Sequence, residues 1–129
     1  MYPADRIPGI WGKPAAFVFN TQKHNKRGLH WVAVYVSKNG NTYYFDSLGK
    51  PPDTVDHINS IQRNCKTLRS NRFQLQSNYS VVYGHFCIMF LFYMACGLGF
   101  HRFFENFSDD LVKNDSIARN FVRRICNMS

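Results

Sequence analysis

From Val81 to Phe100 the chain carries no Asp, Glu, Lys or Arg. A run of that length could cross a bilayer as a helix. Gly84 and His85 interrupt its start, however, and Gly97 and Gly99 loosen its end. The uninterrupted part, Phe86 to Ala95, suits the central helix of a compact domain better than a membrane span. A helix over Gly84–Ala95 that is apolar on most of its faces needs a partner on more than one side.

The upstream sequence supplies such partners. His30-Trp-Val-Ala-Val-Tyr-Val36 and Thr42-Tyr-Tyr-Phe-Asp46 are β-branched and aromatic runs separated by Lys38-Asn39-Gly40-Asn41. Asn-Gly between such runs predicts a hairpin. Both runs are apolar on both faces, which predicts a central position in a covered sheet. Ala15-Ala-Phe-Val-Phe-Asn20 and Phe73-Gln-Leu-Gln76 read as further strands. Prolines and glycines punctuate Met1 to Pro14, which reads as an extended or looped entry, and Thr21 to Gly28 reads as a polar, basic loop.

Two more helices are expected. Asp53 or Thr54 caps one that runs to about Arg63, with Val55, Ile58 and Ile61 on a single stripe. The last covers about Ser116 to Cys126 from an N-cap at Asn114 or Asp115. Ile117, Phe121, Val122 and Ile125 form its inner face, and Arg119, Arg123 and Arg124 its outer one. The sum is an α+β domain, a mostly antiparallel sheet with a central hairpin packed against helices. The 129 residues show no repeat or linker, so one domain over 1–129 is expected.

Cys65, Cys87, Cys96 and Cys126 have no CxxC spacing, so no zinc site or disulfide framework is expected. Reduced cysteines fit a cytosolic or nuclear compartment. A formal charge of +8 favours polyanionic partners or simply a solvated basic surface.

The stretch Gln76-Ser-Asn-Tyr-Ser-Val-Val-Tyr83-Gly84-His85-Phe86-Cys87 carries the chemistry. A polar amide precedes a small-residue turn that opens directly into the apolar helix. Such a turn suits a nucleophile at a helix N-terminus, where the dipole and free N–H groups lower a thiol pKa. His30 lies in Gly28-Leu-His30-Trp31-Val-Ala33, and Asp46 in Tyr43-Tyr-Phe-Asp46-Ser-Leu-Gly49. Alone, His30 at a strand start is an ordinary structural histidine, Asp46 a turn former, and Gln76 uninformative.

Together and in this order, these residues resemble the adenovirus-type cysteine proteases, adenain and its relatives encoded by Maverick/Polinton elements. The resemblance covers most of residues 3–100. It implies a papain-like, ubiquitin-like-protease-type architecture. His30 would be the general base, Asp46 its orienting carboxylate, bonded to Nδ1, and the Gln76 amide an oxyanion donor. No metal or cofactor is implied. The chain begins close to the first family motif, so the resemblance also leads us to expect an absent N-terminal segment.

Position 83 should then be the nucleophilic cysteine, and here it is Tyr83. A phenol ionises near pH 10 and attacks amides far less readily than a thiolate. Cys87, one turn further on, has apolar neighbours and reads as an inert buried thiol. The resemblance therefore implies a pseudoprotease that keeps a groove for a peptide or protein. The alternatives are an active viral-type endopeptidase that processes capsid or polyprotein precursors, and a basic nucleic-acid-binding domain. Some family members respond to DNA and to a short activating peptide; the loop bearing Lys23, Lys26 and Arg27 is compatible with DNA contact and equally with plain solvation. A viral or transposon origin, and a location in the nucleus, cytoplasm or virion, would follow.

The hairpin holds a geometric condition for this site. A two-residue turn at Asn39-Gly40 would pair Ala33 with Asp46 and send His30 to the opposite face of the sheet. A three-residue connection, a bulge, or a His30 lying just before the strand removes the conflict.

Overall fold

The expected hairpin forms the middle of a five-stranded sheet. The computed structural model describes residues 2–3, 12–20, 30–52, 61, 66–78 and 82–127. Its strands are β1 (Tyr2–Pro3), β2 (Ala15–Asn20), β3 (Trp31–Val36), β4 (Asn41–Phe45) and β5 (Thr67–Ser70), and they lie in that order across the sheet. β2, β3 and β4 pair antiparallel, while β1 and β5 add parallel to the two edges.

Val36 pairs with Thr42 and Ser37 bonds to Asn41, so three residues, 38–40, close the turn between β3 and β4. Ser37 N donates to Asn41 O at 2.9 Å and Gly40 N donates to Ser37 O at 3.0 Å. Gly40 has φ +86°, a left-handed conformation that glycine adopts at little cost. This register gives positions 30 and 46 the same parity, so the condition set by the sequence is met.

Strand alternation sends the two faces of the hairpin into separate cores. Val32, Val34, Val36 and Tyr44 join Phe19 and Ile61 on one side. Ala33 and Phe45 join Leu75, Phe86, Met89, Phe90 and Phe103 on the other, against the helices. The hairpin is therefore covered on both faces, as its composition predicts. Ile61 is the described residue of the expected 53–63 helix; it is helical and fully buried.

Three helices follow among the described residues: α1 (Tyr83–Ala95), α2 (Gly99–Phe104) and α3 (Leu111–Cys126). α1 lies where its apolar run predicts, with Phe86, Cys87, Met89, Phe90 and Met94 buried. No helix is long and apolar enough to cross a membrane, among the described residues. α2 is not evident from the sequence, where the glycines suggest only a loosened helix end. It forms because the turn through Gly97 and Gly99 returns Phe100, Phe103 and Phe104 to the sheet. There the Phe45 ring lies 5.1 Å from Phe103 and 5.0 Å from Phe90.

Two expected boundaries are corrected. Residues 73–76 are not a strand; the pairing strand is Thr67–Ser70, and 71–78 pass over the end of β4 as irregular chain. Their backbone groups are satisfied locally instead, since Leu75 N and Gln76 N both donate to Ser47 O, at 2.8 and 3.0 Å. The last helix begins at Leu111 with Asp110 as N-cap, whose Oδ1 accepts from Lys113 N at 3.1 Å. Asn114 and Asp115 are thus not caps but buried residues of its first turns. The expected faces of this helix otherwise hold: Ile117 and Phe121 pack on the core, and Arg119, Arg123 and Arg124 are exposed.

Candidate active site

Three of the four candidate residues meet where the ends of β3 and β4 face the start of α1. His30 immediately precedes β3 and Asp46 immediately follows β4. His30 Nε2 lies 2.6 Å from Asp46 Oδ1. The bond therefore uses Nε2, not the expected Nδ1. A carboxylate can only accept, so the ring proton belongs on Nε2 and the basic lone pair on Nδ1. Tyr83 is the first residue of α1, and its ring meets the His30 ring edge-on at 4.6 Å between centroids.

Asp46 is held from several directions while only 2% exposed. Its Oδ1 also accepts from Leu48 N at 2.8 Å, and its carbonyl accepts from Gly49 N at 2.8 Å. The residue is thus both the turn former that its sequence context suggests and the partner of His30. Asn71 clamps its backbone: Asp46 N donates to Asn71 Oδ1 at 3.0 Å, and Asn71 Nδ2 donates to Asp46 O at 2.6 Å. Burying a carboxylate needs such compensation.

Gln76 reaches the same corner by another route. It is fully buried, and its Oε1 accepts from the hydroxyl of Ser47, the neighbour of Asp46. With the carbonyl end of the amide so engaged, the Nε2 end is its donor. The loop that carries Gln76 is pinned by α3. Asn114 Nδ2 donates to Leu75 O at 3.1 Å, and Asp115 Oδ1 accepts from Ser77 N at 3.2 Å. Ser47, Asn71, Asn114 and Asp115 were not legible as site supports. Nothing in the sequence marks them for this role.

Trp31 couples the strand to the helix. A Cβ at Gly84 would lie 3.0 Å from Trp31 Cζ3, so a larger residue there would need the indole to give by a few tenths of an ångström. The N-cap of α1, Val82, makes no side-chain cap, and no acidic residue occupies the first turn. Its first N–H groups are those an oxyanion would use.

Cys87 lies one turn deeper. It is 1% exposed, and burial, with the Asp46 charge second, pushes its thiol far above the ordinary range. The inert reading of Cys87 fits this environment. In the native protein, iodoacetamide is expected to modify the exposed Cys96 and Cys126 readily and Cys87 only as the fold opens. Site-resolved mass spectrometry checks this; prompt labelling of Cys87 would contradict it. Among the described residues no group of His, Cys, Asp or Glu could hold a metal ion. The loop with Lys23, Lys26 and Arg27 lies outside the described residues.

No family model matches the chain. In sequence it is 45% identical over 49 residues to a protein of Acanthamoeba polyphaga mimivirus named "Putative thiol protease R355". That match takes in 37% of this chain and 16% of the mimivirus protein. In structure it superposes on the ASFV pS273R protease with a TM-score of 0.59 at 19% identity, covering 78% of this chain and 40% of that one. The chain thus spans well under half the length of either protein. It has distant sequence similarity to a viral thiol protease and shares the α+β fold of another.

Proposed function

We propose that this chain is a pseudoprotease: a thiol-protease fold that binds a peptide or protein segment without cutting it. The observation that carries the reading is Tyr83 at the first position of α1, its ring 4.6 Å from that of His30, with His30 Nε2 2.6 Å from Asp46 Oδ1. His30 is the inherited base, Asp46 its positioning carboxylate and Gln76 the amide donor for an oxyanion. Tyr83 stands where a thiolate would attack. Its phenol is a poor nucleophile toward an amide, and its ring takes up the space next to the imidazole.

Cys87 does not rescue the reaction, because its buried thiol stays protonated. Tyr83 at the nucleophile position weighs against an active endopeptidase, and DNA binding finds no support among the described residues. The absence of a CxxC or disulfide-framework spacing in the sequence suits a nuclear or cytoplasmic setting. With fluorogenic peptides of the kind viral thiol proteases cut, the unaltered protein is expected to release no product above buffer. Turnover that vanishes in His30→Ala would overturn the reading.

A further inference from the structure

A second concave surface lies on the far side of Asn71 from Asp46. Residues at the end of β5 and just after it form one wall, and α2 forms the other, around a cleft of about 520 Å³. Its floor is aromatic. Phe73 meets Phe104 at 5.0 Å and Phe104 meets Phe100 at 4.7 Å, both edge-on. Phe73 is 52% exposed, an uncommon state for a ring packed against others. Arg69 and Arg72 are the cations of the strand-side wall, and the Arg69 guanidinium sits over the Phe100 ring at 5.7 Å. On the helix-side wall, Glu105 pairs with His101 at 3.2 Å.

We propose that this cleft binds an acidic peptide segment with aromatic side chains. The carboxylates would lie on Arg69 and Arg72, and an aromatic ring would lie on the Phe73–Phe104 floor. A guanidinium fork matches a carboxylate in shape, and one already stacked on a ring loses little freedom on binding. A nucleic-acid strand fits less well. It needs a continuous cationic track for its phosphates, and Glu105 interrupts this one. On its outer side β5 has no strand partner among the described residues, so its main chain can also bond to an extended peptide.

Occupancy is felt at the candidate active site through Asn71. Asn71 is among the residues that line the cleft, and its side chain holds both backbone groups of Asp46. The inference involves neither Tyr83 nor hydrolysis, so it stands or falls separately from the pseudoprotease reading.

The test uses a fluorescein-labelled peptide alternating Glu and Phe, followed by anisotropy at low salt. The unaltered chain is expected to bind it. Arg69→Glu with Arg72→Glu should weaken binding about tenfold or more, as reversal of charge at both arms requires. Phe73→Ser should weaken it separately, while Arg119→Glu, on the exposed face of α3, should leave it unchanged. Thermal melts of each variant check that the fold persists. In NMR spectra the peptide should move the Asn71 side-chain amide and the His30 ring signals, and neither should move in the doubly reversed variant. No binding, equal binding by the reversed variant, or displacement of the peptide by single-stranded oligothymidylate would overturn the assignment. Binding with unmoved Asn71 and His30 signals would overturn the link to Asp46.

Discussion

If the pseudoprotease reading holds, Tyr83→Cys is expected to give a measurable peptidase where the unaltered chain gives none. The substitution shortens a phenol to a thiol at the first position of α1, where the uncapped helix N-terminus and the adjacent imidazole both favour the thiolate. On the proposed reading His30 supplies the base, its Nε2 bonded to Asp46 Oδ1 at 2.6 Å. On that background His30→Ala should cost about 10²–10⁴ in kcat/KM, the span over which a positioned acid–base group acts. Gln76→Ala should cost about 10²–10³, as for an oxyanion donor. Fluorogenic peptide hydrolysis reads all three. A folded Tyr83→Cys protein that binds but never cleaves would mean that the remaining groups have drifted from working geometry.

Phe45→Ala should produce the largest loss of stability. Phe45 is fully buried, and its ring lies among those of Phe86, Phe90, Phe103 and Phe104. Truncating a residue so enclosed costs about 3–5 kcal/mol, the transfer free energy of the ring plus a cavity that its neighbours fill only in part. Domains of this size hold about 5–15 kcal/mol in all, so urea unfolding should shift to a far lower midpoint. The substitution also frees the residue before Asp46, so a Tyr83→Cys peptidase carrying it should lose activity before it unfolds globally. A loss of unfolding free energy of less than about 1 kcal/mol would show that the aromatic cluster is not the support described here.

Periodicity and residue type revealed the parts of the fold that depend on them. The hairpin, its burial on both faces, α1 and the amphipathic body of α3 are all visible as patterns of apolar side chains. The elements that were missed depend on distant partners. β5 consists of Thr67-Leu-Arg-Ser70, is mostly exposed and has little strand character of its own; it exists because β4 offers an edge. Residues 73–76 alternate like a strand, but Ser47 O takes their N–H groups before a ladder can form. Asn114 resembles an N-cap, yet it lies inside the helix because its amide serves Ser108 and Leu75 instead.

The candidate site divides along the same line. His30, Asp46, Gln76 and Tyr83 stood out through short strings that resemble a family, and the structure brings His30, Asp46 and Tyr83 into contact. The side chains that hold them, Asn71 and Asp115 above all, come from segments with no motif. A buried polar group needs a partner, but the sequence does not say which one. The nitrogen of His30 that bonds to Asp46 is a matter of ring orientation, which sequence leaves open.

The three-residue turn Lys38-Asn39-Gly40 has an evolutionary corollary. A single codon gained or lost there would rotate one strand by half a period relative to the other and part the imidazole from its carboxylate, with every side chain of the pair unchanged. Loop length would then act as a hidden determinant of ancestry. On the pseudoprotease reading, an altered turn in a related chain would signal a machine beyond repair, and a preserved one a machine that a single substitution could restart.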